Sequence, residues 1–435
     1  MKKTIISILT FVIFSQGILL ADDSAKQIEA ALQSNDNKKL EELFSSGTDP
    51  NIKNANGDPY CVTAAIWPEM IEAFIKAGAN VNEAGKSDYS PLLMAVTMAS
   101  EESVKLLIEA GADVNFSQKA NGLSVLHYAT WRSNCGKCIE YLIAAGANVN
   151  ALDNNKETPA TLMVTAMSPE ERASTVHYTT NAMKNFGYNN LPEKYTNPKA
   201  EDWDSPADIM GLLLDADLDP NLKNKQGVNA LMNAAYFNKV AIMDKLVKNG
   251  AKLKDKDKLG KTIWAYAIDG GAGDALVYMI NNKIANVDET FTWFDDKMGI
   301  NMKGMTALSV ASVNGSAESI KTLLDLGAKC YSTSSGNFYS GGCLGVVKDK
   351  TPLVYAIESG KLENVKVIIE NCEKPKIWQN WSLFEVRPTK IAKYNHCYGG
   401  KSWLRPWTYA EYYGFSDIAD YLQKEFDTYT LGKAK

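Results

Sequence analysis

Seven cysteines and three histidines hold most of what could do chemistry in this chain. Cys135-Gly136-Lys137-Cys138 has the spacing of a redox pair, in which two thiols cycle with a disulfide. Such a pair works as an oxidoreductase only in a thioredoxin-like βαβ setting. Cys330 and Cys343 bracket a stretch rich in Gly, Ser and Tyr, and Cys372 and Cys397 bracket most of a tryptophan-rich one. His177 and His396 have no partners at ligand spacing, so the adjacent His396 and Cys397 are the nearest approach to a metal pair. No nucleophile motif, phosphate-cradling glycine loop or paired-carboxylate signature is present. The sequence therefore assigns no catalytic residue, no cofactor and no metal.

The N-terminus bears on how the cysteines behave. Lys2 and Lys3 precede an apolar stretch from Ile5 to Phe14, and Ala21 suits the position before a cleavage site. Residues 1–21 read as a signal peptide, with the mature protein starting near Asp22 or Asp23. Gln16 and Gly17 interrupt the stretch, which falls short of the roughly 20 apolar residues a spanning helix needs. The first cysteine is Cys61, too distant for a lipid anchor. No later run is apolar enough to span, so no membrane insertion is expected after cleavage. Many Lys and Asn residues give the chain a bacterial look, and the expected location is periplasmic or extracellular. Seven cysteines in that compartment suggest disulfides and one leftover thiol. Removing Lys2 and Lys3 from the 46 basic residues leaves 44 against 51 acidic, net −7. With no basic stripe, nucleic acid is not an expected partner.

The elements that position these residues follow from a recurring phrase. It reads Gly78-Ala79-Asn80-Val81-Asn82, then Gly111-Ala112-Asp113-Val114-Asn115, then Gly146-Ala147-Asn148-Val149-Asn150, with the glycines 33 and 35 residues apart. Repetition at that period predicts stacked helical units. Ser90-Pro91-Leu92-Leu93 opens one such unit: the serine can cap free amides, and proline fits the first helical position. Ala95 keeps the first helix thin, while Val104, Leu106 and Leu107 supply the buried side of a second helix. Gly111 ends it, and Asp113 and Asn115 suit the turn that follows. Later units open at Gly122-Leu123-Ser124-Val125-Leu126-His127, Thr158-Pro159, Asn229-Ala230-Leu231, Thr262-Ile263-Trp264, Thr306-Ala307-Leu308, Thr351-Pro352-Leu353 and Arg405-Pro406-Trp407. Asp217 replaces a glycine, leaving that helix end less well specified.

The pattern resembles the ankyrin repeat, Thr-Pro-Leu-His-x-Ala followed by a Leu-Leu helix and Gly-Ala-Asp-Val-Asn. The resemblance implies an all-α solenoid of about ten helix-turn-helix units over most of residues 24–430. It places His127 where the family ties a helix start to neighbouring turns, and Cys61 where a buried leucine belongs. It puts Cys135 and Cys138 at the turn into a second helix, as a local structural disulfide or two unpaired thiols. Gly270-Gly271-Ala272-Gly273 falls between two helices as a turn, and Trp67, Trp131 and Trp264 fall within units, in the core or at its edge.

Departures from the period mark insertions in the single array expected over 22–435. They lie near 168–206, 285–303, 330–349 and 372–404, and are expected as loops on one face. The bracketing cysteines suggest disulfides Cys330–Cys343 and Cys372–Cys397, with Cys61 reduced. Trp378, Trp381 and Trp403 in the last insertion either meet a partner or pack locally, and are the partner-binding candidates. The expected function is an exported, non-catalytic scaffold for protein–protein interaction, acting as a monomer. The resemblance puts the partner on the concave face made by first helices and turns. The other readings are an immunity protein neutralising a secreted toxin and a structural spacer of the cell envelope.

Overall fold

Short amphipathic helices, too brief to be stable alone, require stacking neighbours to bury their apolar sides. The computed structural model shows that stacking for residues 23–133, 135–166, 199–200, 204–295, 300–340, 343–372 and 406–433. The described residues form two compact units, one made of those up to 233 together with 244–252, the other of 234–243 together with those from 253 on.

In the first unit the helices come in pairs. They are α1 (Asp23–Ser34) and α2 (Asn37–Ser45), α3 (Tyr60–Ala64) and α4 (Pro68–Lys76), α5 (Pro91–Thr97) and α6 (Glu101–Glu109), α7 (Val125–Tyr128) and α8 (Gly136–Ala144), then α9 (Pro159–Met163) and α10 (Pro206–Asp215). One π-helical turn, Ala129–Ser133, extends α7. First helices stack on first helices, α3 on α5 and α5 on α7, and second helices on second, α4 on α6 and α6 on α8. The resulting core holds Ile71, Phe74, Leu93, Leu107, Leu142 and Leu213, all fully buried.

The helix ends follow the chemistry of their residues. Ser90 Oγ accepts the Leu93 N–H at 3.2 Å, Ser205 Oγ the Asp208 N–H at 3.2 Å, and proline occupies the next position in both. Gly111 closes α6 at φ +84°, which lets the Ala112 N–H reach the Leu107 carbonyl at 2.9 Å. Asp217 takes the same left-handed conformation at φ +61°, and the Leu218 N–H reaches the Leu213 carbonyl at 3.1 Å. Aspartate tolerates that region better than most residues, so the substitution does not change the turn.

Helices α11 (Ala230–Tyr236) and α12 (Val240–Lys248) follow in sequence. The second unit continues the pairing with α13 (Ile263–Asp269) and α14 (Gly273–Asn281), α15 (Ala307–Asn314) and α16 (Ala317–Asp325), α17 (Pro352–Ser359) and α18 (Leu362–Asn371), then α19 (Pro406–Tyr412) and α20 (Ser416–Lys433). Glycine at 273 permits the close approach of Ser319 in α16, whose Oγ would lie 1.8 Å from a Cβ there.

Two segments expected as loops are strands instead. β1 (Phe291–Asp295) and β2 (Ile300–Met305) form one antiparallel hairpin, and β3 (Ser334–Ser340) and β4 (Cys343–Lys350) another. Met302 pairs with Gly336 and Lys303 with Ser335, joining the hairpins into a four-stranded antiparallel sheet. Each hairpin sits in the connection between a second helix and the next first helix. Earlier connections of this kind in the first unit carry only isolated bridges, Lys53 with Pro59 and Ser117 with Ser124. Thus the helical array is as expected from the sequence, and two of its insertions build a sheet.

Candidate interaction surface

The recurring phrase builds a ladder of side-chain amides. Its first polar residue folds the turn: Asp113 Oδ1 accepts the Asn115 N–H at 2.9 Å, and Asn148 Oδ1 the Asn150 N–H at 3.0 Å. Its last asparagine crosses to the next unit. Asn82 Oδ1 accepts the Asp113 N–H at 2.7 Å, and its Nδ2 donates to the Gly111 carbonyl at 3.0 Å. Asn115 makes the same two bonds to Asn148 and Gly146, and Asn221 to Lys252 and Gly250. Asn150 makes them to Asp219 at 2.9 Å and Asp217 at 3.2 Å, so the ladder passes the insertion after α9 without a break. In the second unit Asp288 takes the place of the asparagine, accepting the Lys329 N–H at 3.0 Å and pairing with its Nζ at 3.2 Å. The sequence showed the bonds within each turn; the bonds between turns were missed, although the fixed final asparagine was their signal.

His127 is fully buried. Its Nδ1 accepts the Ser124 N–H at 3.1 Å, which leaves the proton on Nε2 to be donated to the Glu157 carbonyl at 3.0 Å. The ring thus ties the start of α7 to the next turn, and burial pushes its pKa below the usual histidine value. Cys61 is likewise buried. Burial, with Glu83 adding to it, raises its thiol pKa to about 12, so the thiolate is not formed at neutral pH.

Cys135 and Cys138 are joined, with sulfurs 2.06 Å apart. They span the first turn of α8, where the Cys138 N–H also points at Cys135 Sγ at 3.2 Å. The Asp204 carboxylate accepts the Gly136 N–H at 2.6 Å, and a Cβ at Gly136 would lie 2.9 Å from that carboxyl group. Both cysteines are buried in a helix-on-helix setting, which lacks the βαβ context of a redox pair.

The second disulfide corrects the expected pairing. Cys330 is bonded to Cys372, so neither Cys330–Cys343 nor Cys372–Cys397 is present. The physical reason is the stacking: α16 and α18 lie against each other as equivalent helices of successive units. Cys330 follows the turn that ends α16, and Cys372 caps the C-terminus of α18, so their Cα atoms come within 6.0 Å. Cys343 stands at the start of β4.

Trp378, Trp381, Trp403, His177, His396 and Cys397 lie outside the described residues, as do residues 1–22 and most of the insertions at 168–206 and 372–404. Trp67 and Trp264 are buried, and Trp407 packs on Phe426 with ring centroids 5.0 Å apart. A buried polar cluster went unforeseen. Lys350 Nζ lies 2.6 Å from Glu358 Oε2 and 4.2 Å from the centre of the Tyr355 ring, and Tyr409 donates its hydroxyl to the other oxygen of Glu358. Burial first, and then the Glu358 charge, holds the Tyr409 pKa well above its usual value.

The exposed large apolar side chains among the described residues are Leu152, Tyr236, Phe237, Leu259 and Tyr413. Tyr236 and Phe237, 40% and 44% exposed, meet edge to face at 5.0 Å where α11 ends. Beside them the Tyr236 carbonyl abuts Gly270, where a Cβ would lie 2.0 Å from it. The geometry offers an exposed edge-to-face aromatic pair and a row of turns, with no converging acid, base and nucleophile among the described residues.

Comparison with known families matches this architecture. The pattern described as ankyrin repeats (3 copies) covers residues 28–118 and 200–291, and the single ankyrin repeat covers 121–154. These units are ankyrin repeats. The same helix pairing continues beyond residue 291, through α15 to α20. Two proteins of Acanthamoeba polyphaga mimivirus, both named for their ankyrin repeats, are similar to the chain. One is 28% identical over 185 residues, 42% of this chain and 22% of the relative; the other is 37% identical over 89 residues, 19% and 54%. The E3 ubiquitin-protein ligase KEG of Arabidopsis thaliana is 35% identical over 92 residues, 21% of this chain and 6% of the relative. The similarity thus spans only part of each relative. Ankyrin repeats are in general protein–protein interaction modules.

Proposed function

We propose that this chain is an exported, non-catalytic scaffold that binds a protein partner through its first helices and the turns beside them. Export is supported by Lys2, Lys3 and the short apolar stretch before Ala21, and by the paired cysteines. The observation that carries binding is the Tyr236–Phe237 pair. Two large aromatic side chains held in edge-to-face contact at the surface present area with little rotamer freedom left to lose. Aromatic anchors of this kind dominate interface energetics.

Capture from the host's periplasmic fraction, followed by mass spectrometry, tests the reading. The expected result is one stoichiometric partner, retained by the wild type and lost by Tyr236→Ala/Phe237→Ala at unchanged melting temperature. Replacing a central aromatic anchor should cost about 2 kcal/mol or more of binding. If no partner is retained, the spacer reading takes over; if the double variant retains it in full, the contact lies elsewhere on the array.

A further inference from the structure

One turn of the second unit departs from the chemistry of its siblings. Four turns share a device in which a single carboxylate or amide oxygen accepts the N–H groups two and four residues on. Asn54 holds Asn56 and Asp58, Asp153 holds Asn155 and Glu157, Asn224 holds Gln226 and Val228, and Asp257 holds Leu259 and Lys261. The residue two on is an amide side chain in the first three turns. In the fourth it is Leu259, 84% exposed. Burial cannot explain a leucine there, and the backbone does not require one.

The surroundings of Leu259 are basic. Lys254, Lys256 and Lys258 are exposed on the approach to the tip. Of the neighbouring carboxylates, Asp257 is buried and its second oxygen accepts the Tyr266 hydroxyl at 2.9 Å, and Asp255 is half-buried. Asp269 engages Lys261 at 2.7 Å. What reaches solvent is a leucine, its N–H held by the Asp257 carboxylate, beside three exposed lysines.

Two surfaces could receive such a tip. A protein pocket is the poorer match, because interface cores are depleted in lysine and hot spots are poor in leucine. A lipid headgroup layer asks for less: one apolar side chain that reaches the acyl boundary, and cations that stay among the phosphates. Lysine stems can lie along the apolar layer while their ammonium groups remain wet.

We propose that the 254–261 turn is a peripheral docking site for an anionic lipid surface, with Leu259 inserting and Lys254, Lys256 and Lys258 meeting phosphates. The site is separate from the Tyr236–Phe237 surface and needs no spanning helix. Among the described residues no helix is long and apolar enough to cross a membrane. The whole chain carries a net charge of −5, so general electrostatics would repel it from anionic vesicles, and attraction must come from a local basic patch.

Co-sedimentation of the full chain with vesicles decides the matter, using phosphatidylcholine alone and an equal mixture with phosphatidylglycerol. Binding is expected to the mixture, and to weaken as salt is raised. Leu259→Asn reproduces the residue of a sibling turn, Asn155, so the variant should fold and melt as the wild type. It should lower partitioning about tenfold, the loss expected for partly burying one leucine. The triple variant Lys254→Gln/Lys256→Gln/Lys258→Gln should lower it by on the order of a hundredfold. Absence of binding to the mixed vesicles overturns the proposal, and so does binding that survives in both variants. A captured protein that is lost on Leu259→Asn, without any lipid binding, reassigns the turn to a protein interface and overturns it equally.

Discussion

His127 shows how far a single residue can be read. Its position in the repeat pattern implied a structural tie, and the buried ring provides one, accepting from Ser124 and donating to Glu157. That arrangement is read with the neutral imidazole: Nδ1 accepts the Ser124 N–H and lies 2.7 Å from the Ser124 hydroxyl, and burial disfavours adding a second proton to the ring. Burial lowers the folded-state pKa below the ordinary value of about 6.5. The unfolded chain therefore binds the proton more tightly, so stability is full above about pH 6.5 and is lost as pH falls from there toward the folded pKa. Melting followed from about pH 7.5 to 5 should show a drop that His127→Gln reduces. His127→Ala should cost about 1–3 kcal/mol at neutral pH by leaving buried partners unmatched. A variant with the wild-type pH slope would remove His127 from this role. Cysteine pairing was less legible at the same scale. Spacing tells which cysteines bracket a segment, whereas pairing depends on which helix ends lie side by side.

Among elements, the helices were legible because their signals are local. Ser90 before Pro91 and the glycine at 111 act within a single turn, and Asp217 could replace glycine because the backbone tolerates it there. The sheet was not legible. Residues 334–340 are mostly small and polar, with Gly336 among them, which gives no alternation of apolar and polar side chains. Moreover β2 and β3 are separated in sequence by the α15–α16 pair, and only the stacking of units brings them into register. The same stacking sets the Cys330–Cys372 disulfide, with a sequence separation of 42. Closing a loop of that length should contribute about 4 kcal/mol in the chain-entropy account. Peptide mapping without reductant should recover Cys330 linked to Cys372, and Cys330→Ser/Cys372→Ser should lower the melting temperature in oxidising buffer. A Cys330–Cys343 linkage in the map would overturn the arrangement.

Across the whole molecule, a repeat array confines damage, because each pair of helices rests mainly on its neighbours. The Lys350–Glu358–Tyr409 cluster gives the sharpest test, since it links β4, α17 and α19 through buried polar atoms. Lys350 is 1% exposed and cannot turn to water if its partner is removed. Nothing in the sequence marked it, because a lysine just before Thr351-Pro352 reads as an ordinary exposed residue at a helix start. Glu358→Ala leaves a buried ammonium group without its carboxylate and should cost about 3–5 kcal/mol locally. Glu358→Gln keeps an acceptor for Lys350 and Tyr409 but not the charge, and should cost less. Hydrogen exchange followed by mass spectrometry separates local from global effects. Glu358→Ala should speed exchange in α17 and α19, while α3 to α8 in the first unit keep wild-type protection. Faster exchange spread evenly over both units would mean that the array unfolds as one block, and the nearest-neighbour account of its stability would fail.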